Sequence, residues 1–388
     1  MKKILILGGS HRDIPLIKAS KALGYFVMTL GNGVNYLGHG YADRHYEIDF
    51  NDLETVKKII STEKVDYLIP GCGEASYLNT VQLSHELHIG NFDDLKTARL
   101  IHNKWKFKAF CLQHEISTPT GFFYHTDNDI GNLNFPIVVK PTSLSGGRGV
   151  KIVHNIDEFH AALKEAKKVS QEIFFEEYVE GELIAYSLFL QNQKIIYDFV
   201  GKDESYLNKY LITLAYPIKI DDRILAKLKF DIEKLARLLS MVDGMFHLQI
   251  IIKDGVPYII DVTRRIPGDF YPYLIETCDK VDYSKAVVKS YLDKTLANEF
   301  ISPKEKDFVL RYCVMPDTNG IYENLVIDES IKKDIIFRID LMQVGDRIEN
   351  YLNTQIAILL IKTPDMNSNA LKNINNLIYP KVKPQKEL

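Results

Sequence analysis

Phe135-Pro136-Ile137-Val138-Val139-Lys140-Pro141, followed by Ser143-Leu144-Ser145-Gly146-Gly147-Arg148-Gly149-Val150, is the stretch on which the reading of this chain turns. Its apolar, β-branched start predicts a buried strand. Lys140 leaves that strand as a fixed positive charge beside a turn. Gly146 and Gly147 put no side chain between the backbone N–H groups and an approaching phosphate. Lys151-Ile152-Val153 returns as a strand, Asp157 to Lys168 predicts a helix, and Ile173 to Tyr178 a further strand. Asp157 and Glu158 suit the positive end of the helix dipole. This order predicts a small α+β lobe over about residues 115–178. Taken alone, the stretch fits a glycine-rich hairpin with an incidental lysine as well as it fits a phosphate site.

Upstream, short apolar strands alternate with helices. Ile4 to Leu7 ends in Gly8-Gly9, Ile14 to Leu23 is helical, and Tyr25 to Leu30 is a second strand. Leu53 to Ile60, Tyr67 to Ile69 and Ala75 to Leu87 continue as helix, strand and helix. Such alternation predicts a parallel, Rossmann-like sheet. Gly8-Gly9-Ser10-His11-Arg12-Asp13 lacks the GxGxxG spacing that seats a dinucleotide, which disfavours a dehydrogenase. A helix follows near Asn103 to Leu112. Downstream, Ile224 to Leu239 predicts a helix, and Lys253-Asp254-Gly255 predicts the turn of a hairpin running from His247 to Val262. Phe308 to Val314 and Gln355 to Ile361 read as strands, and Pro380-Lys381-Val382-Lys383-Pro384 as a frayed tail. The fold class is therefore α/β with α+β.

Two further segments carry chemistry. Phe175-Glu176-Glu177-Tyr178-Val179-Glu180-Gly181-Glu182 alternates apolar and acidic residues, which suits an adenine slot with a carboxylate for a ribose, or equally an acidic edge strand. The hairpin carries His247-Leu248-Gln249 on one strand and Asp261-Val262-Thr263-Arg264-Arg265 at the end of the other. Amide and carboxylate oxygens suit Mg²⁺, and arginine suits charge on a transferring phosphoryl group. His247 shares a strand face with Gln249.

The order lysine and glycine turn, acidic hinge, then Gln/Asp hairpin with arginines, behind a Rossmann-like unit, resembles the ATP-grasp superfamily. Its members include carbamoyl-phosphate synthetase halves, glycinamide-ribonucleotide synthetase and L-amino-acid ligases. The resemblance covers about residues 1–300. It implies an ATP-grasp fold: a pre-ATP-grasp domain (1–97), a two-lobed nucleotide-binding unit (98–302, lid about 115–178) and a strand-rich C-terminal segment (303–388). It further implies nucleotide contacts from Lys104, Lys140, Gly146, Gly147, Glu176, Glu177, Val179 and Glu182. Metal contacts are implied for Gln249, Asp261 and Thr263, and catalytic roles for Arg265 and Lys140. Gln249, Asp261 and Thr263 stand where many members carry Glu, Glu and Asn. The implied activity is an ATP-dependent carboxylate–amine ligase using ATP with Mg²⁺ or Mn²⁺, with a homodimer among the implied partners. A bicarbonate-using carboxylase and a weakly active ATP-binding regulator are the alternatives.

Bulk properties narrow the setting. A chain of 388 residues predicts two or three domains. A net charge of -3 argues against general nucleic-acid or membrane-surface binding. Cys72, Cys111, Cys278 and Cys313 lie far apart, which disfavours a zinc site or disulfide framework and fits a reducing cytoplasm. The apolar run after Met1 is too short for a signal segment, and no run is long enough to span a bilayer.

Overall fold

The protein was analysed as a computed structural model that describes residues 1–33, 35–126, 134–142, 149–294, 296, 299–301, 306–365 and 367–384. Strands β1 (Lys3–Leu7), β2 (Phe26–Leu30), β3 (Arg44–Tyr46) and β4 (Tyr67–Pro70) form a parallel sheet in the order β3-β2-β1-β4. Ile4 to Leu7 are fully buried, as a central parallel strand covered on both faces requires. Helices α1 (Ile14–Ala22) and α2 (Leu53–Glu63) supply crossovers, and α3 (Glu74–Leu87) follows β4. Asp13 fixes the loop after β1. Its carboxylate accepts from the N–H groups of Gly9 and Ser10 (both 2.9 Å) and of Cys72 (2.8 Å).

Helices α4 (Leu95–His102) and α5 (Lys104–Gln113) lead into a four-stranded antiparallel lobe. It contains β5 (Gly121–Phe123), β6 (Ile137–Pro141), β7 (Lys151–Val153), α6 (Ile156–Ala166) and β8 (Ile173–Glu177), with strand order β5-β8-β6-β7. Phe159, Leu163 and Phe175 close its core against Ile137 and Val139. The glycines Gly146 and Gly147 lie outside the described residues.

An eight-stranded sheet carries the rest of the chain. In sequence it uses β9 (Glu182–Gln191), β10 (Lys194–Glu204), β11 (Leu214–Pro217), β12 (Gly244–Lys253), β13 (Val256–Thr263) and β14 (Phe308–Val314). After β15 (Gly320–Ile327), β16 (Ile335–Asp340) and β18 (Ala357–Thr363) complete it in the order β13-β12-β9-β10-β11-β14-β18-β16. Strands beyond residue 303 thus continue the sheet that holds the hairpin. One face packs on α7 (Asp222–Leu238), and the other packs on α8 (Tyr271–Asp279) and α9 (Tyr283–Tyr291), which also touch the N-terminal sheet's helices.

The segment Ile378–Pro384 is a paired strand, which corrects the expectation of a frayed tail at Pro380 to Pro384. β19 (Ile378–Pro384) pairs antiparallel with β15, and β17 (Arg347–Ile348) lies on the other side of β15. Ile378 is fully buried, and Val382 packs on the same cluster, while both prolines sit on an edge strand where a missing N–H is tolerated. Among the described residues, no helix is long and apolar enough to cross a membrane.

Candidate active site

The hairpin β12–β13 starts from the Lys253–Val256 turn in strict register: Ile252 opposes Pro257, Ile251 Tyr258, and Ile250 Ile259. Regular pairing would next set Gln249 against Ile260. Instead a bulge inserts Ile260, so Gln249 opposes Asp261 and His247 opposes Thr263. Because strand side chains alternate, this one-residue slip moves Asp261, Thr263 and Arg265 onto the face of Gln249. All four line one cleft of about 240 Å³, together with Glu74, His102, Lys104, His247 and Gly268.

Lys104, at the first turn of α5, forms an ion pair with Asp261 across the cleft. Lys140 leaves β6 as the sequence predicts and pairs with Glu176 of β8. Burial lowers Lys140 to about 8, and the neighbouring charge of Lys104 pushes the same way. Lys108, not anticipated from the sequence, is buried and shares the Glu176 carboxylate. It lies four residues after Lys104 on one helix face, the only sequence signal that could have found it. Its burial and the adjacent Lys140 hold the Lys108 amine well below its ordinary range. Trp105, the only tryptophan, packs tilted against Phe174 with ring centroids 4.8 Å apart, and the Lys140 ammonium lies 5.9 Å from its ring centre.

Other predicted residues stand further off. The Glu176 carboxylate is engaged by its two lysines, and the Glu177 N–H donates to the Thr120 carbonyl at 2.8 Å. Val179 is buried just past β8, and exposed Glu182 lies 3.5 Å from Lys202. Thr263 accepts from the Arg265 N–H at 3.3 Å. Nε of Arg265 is buried without a partner among the described residues. The sequence reading also missed Glu74, which opens α3 and faces Lys104, Arg265 and Asp261; burial raises its carboxyl. Its signal was a carboxylate at the first helical turn after a strand ending in Pro70-Gly71.

The cleft's histidines are uncharged. His247 Nδ1 is bonded to the Ser187 hydroxyl at 2.7 Å, and His102 stacks on Tyr77 at 4.5 Å. Burial, reinforced by the Arg265 charge, lowers His247 to about 4 and His102 to about 3. Unfolded histidines titrate near 6.5. Between that value and the folded ones the unfolded chain therefore binds more protons, and stability drains away as pH falls. The thermal midpoint is expected to drop from pH 6.5 toward pH 4. His102→Phe, which keeps the ring stack, should flatten that drop; an unchanged slope in calorimetry would exclude His102 as a contributor.

An ATP-grasp domain family model matches residues 133–272. Formate-dependent phosphoribosylglycinamide formyltransferase of Wolinella succinogenes is 25% identical over 279 residues, covering 68% of this chain and 70% of that protein. Dapdiamide A synthase of Enterobacter agglomerans is 25% identical over 296 residues, covering 70% and 68%. The crystal structure of an L-amino acid ligase from Bacillus licheniformis superposes with a TM-score of 0.83 at 17% identity, covering 99% of each chain. Residues 133–272 thus match the ATP-grasp domain family, and they are embedded in a fold shared from end to end with that L-amino acid ligase.

Proposed function

We propose that this chain is an ATP-dependent ligase that converts a carboxylate into an acyl phosphate and joins it to an amine, releasing ADP and phosphate. The observation that carries this reading is the opposed Gln249–Asp261 pair, set by the bulge beside Lys104 and Arg265 in one cleft. In this reading Lys104 and Lys140 bind phosphate oxygens, with Gly146 and Gly147 in the loop over them. The backbone of Glu176 and Glu177 and the side chain of Val179 serve the adenine, and Glu182 the ribose. Glu176 has a second task, which is to hold Lys140 in place through their ion pair.

The donor set fits Mg²⁺: a carboxylate, an amide carbonyl and a hydroxyl offer oxygens from Asp261, Gln249 and Thr263. Bound there, the ion would neutralise phosphate charge during transfer. No group of three or more His, Cys, Asp or Glu that could hold a metal occurs among the described residues. With one carboxylate among these three donors, Asp261, Gln249 and Thr263 would hold the ion together with nucleotide oxygens. Lys104, now paired with Asp261, would turn its ammonium to phosphate oxygens if Asp261 served an ion. Arg265 then faces the charge that builds on the transferring phosphoryl group. Closure of the lobe that carries Lys140 would exclude water that otherwise hydrolyses the acyl phosphate.

The test is ADP release over acids paired with amines, with Trp105 fluorescence as a separate readout of nucleotide binding. Asp261→Asn is expected to raise the Mg²⁺ concentration needed for half-maximal ADP release at least tenfold, a loss of about 1.4 kcal/mol. A metal titration that overlays the wild type would reject Asp261 as a ligand. ADP formation that requires bicarbonate and no amine would replace the ligase reading with a carboxylase.

A further inference from the structure

A larger hollow adjoins the cleft, and the ligase reading does not use it. It surrounds Asn103, which closes α4 and opens α5. The Asn103 N–H donates to the Arg99 carbonyl at 3.1 Å, and its side chain accepts from the Lys106 N–H at 3.0 Å. With extended backbone (φ −93°, ψ 97°), Asn103 breaks the helix between His102 and Lys104, both of which line the cleft. Around this break, α3, α4, α5 and the end of α7 enclose a groove of about 1270 Å³. The Thr97 hydroxyl ties α4 to the end of α7 by donating to the Leu239 carbonyl at 3.2 Å. Leu78, Leu100, Phe110 and Leu238 give the groove apolar walls, and Lys96, Arg99 and Lys106 bring positive charge to it. Asp94 is engaged in capping α4, accepting from the N–H groups of Lys96 (2.9 Å) and Thr97 (3.1 Å).

Glu74 and His102 border groove and cleft alike. His102 is 7% exposed, and its Nε2 has no hydrogen-bond partner among the described residues. A buried polar atom left unmet is costly, so this one marks a place for a ligand. The stack on Tyr77, with ring centroids 4.5 Å apart, holds the plane of the imidazole. A neutral imidazole carries one N–H, and with the hydrogen on Nε2 it donates to a carboxylate oxygen. Glu74, the other group at the junction, faces Lys104 and Arg265, whose charges offset its own before an arriving anion.

Resting on the ligase reading, we propose that the groove takes the body of the acid substrate: an extended apolar carboxylic acid whose carboxylate reaches the cleft past His102. Space is the first support. The cleft, about 240 Å³, has to hold metal, transferring phosphoryl group and carboxylate, which leaves little room for the rest of an acid. The groove beside it is about five times as large. Chemistry is the second. A sugar or a polar peptide would lay its hydroxyl and amide groups against leucine and phenylalanine and lose hydrogen bonds, whereas an alkyl body gains by leaving water. The stems of Lys96, Arg99 and Lys106 can lie along such a body, and their charges draw an anion toward the junction. There His102 acts as a positioning residue, its Nε2–H holding the carboxylate beside Arg265, whose charge already acts on this ring.

The experiment uses the full chain with Mg²⁺ and a non-hydrolysable ATP analogue. Straight-chain carboxylates from acetate to decanoate are titrated by calorimetry, beside the primary alcohols of the same length. Affinity is expected to rise about threefold with each added methylene, and each alcohol to bind at least about tenfold more weakly than its acid. His102→Phe, which keeps the ring stack, should weaken every acid about tenfold without changing the gain per methylene. Leu238→Glu alters a side chain that is 43% exposed, so the fold tolerates it, and should remove the gain for the longer acids. A retained Trp105 response to the nucleotide shows that each variant is folded. The proposal is overturned if affinity does not depend on chain length, if alcohols bind as tightly as acids, or if either variant binds the long acids like the wild type. Long acids that bind in the expected pattern but release no ADP with any amine would retire the ligase reading and leave the groove standing. ADP release from short acids alone, with no gain along the series, would retire the groove and keep the ligase.

Discussion

Replacing Arg265 with methionine is expected to lower ADP formation about a thousandfold while nucleotide affinity stays within about threefold of wild type. Side chains alternate between the two faces of a strand. Asp261, Thr263 and Arg265 fall on one face at the end of β13, and all three line the cleft. Nε of Arg265 is buried and has no hydrogen-bond partner among the described residues. A ground-state nucleotide already has Lys104 and Lys140 for its phosphates, and losing one more cation should change binding little. The phosphoryl group in transfer spreads negative charge over oxygens that the lysines do not all reach, and there the loss is large. Trp105 fluorescence measures binding and coupled ADP detection measures turnover. Equal losses in both would assign Arg265 to binding alone. Arg265→Lys, which keeps the charge without the fork, should recover part of the rate only.

That alternation was legible before any coordinates. So were the parallel N-terminal sheet, the lobe around β6 and β8, and the hairpin turn, because each rests on a local pattern of apolar residues, glycines and helix starts. The bulge at Ile260 was not. Nothing in Val256 to Thr263 distinguishes a regular hairpin from a bulged one, yet the bulge alone puts Asp261 opposite Gln249. Lys108 looked like one more lysine on a helix; its burial arises from Glu176, 68 residues away. The tail at Pro380 to Pro384 was misread for a related reason. Prolines and lysines signal loose chain locally, whereas β15 offers a partner strand and a buried place for Ile378. Local chemistry predicted elements and residue types well. Pairings across the sheet, which set the distances in the site, required the fold.

Arg264, the neighbour of Arg265, should behave in the opposite way. Its side chain points to the other face of the strand and is 4% exposed. There it grips Asp93, itself 1% exposed, through Nε at 2.7 Å and Nη2 at 3.3 Å. It also donates to the carbonyls of Met245 (2.6 Å) and Val242 (2.8 Å), while Asp93 accepts from the Val242 N–H at 2.8 Å. The group thus rivets the segment leaving the N-terminal unit to the strands that carry the site. Arg264→Ala removes the cation and strands a carboxylate in the interior, so a loss of about 3–5 kcal/mol in unfolding free energy is expected. Much of that loss would be the cost of unpaired Asp93 rather than the worth of the pair. The double replacement Arg264→Leu with Asp93→Leu should therefore be more stable than Arg264→Ala, although it lacks the same ion pair. Chemical denaturation, read by Trp105, separates the two outcomes. If the double variant is no better, the carbonyl contacts to Met245 and Val242, not the charge on Asp93, hold this junction together. In both backgrounds the fraction that remains folded should bind nucleotide normally, since neither side chain borders the cleft.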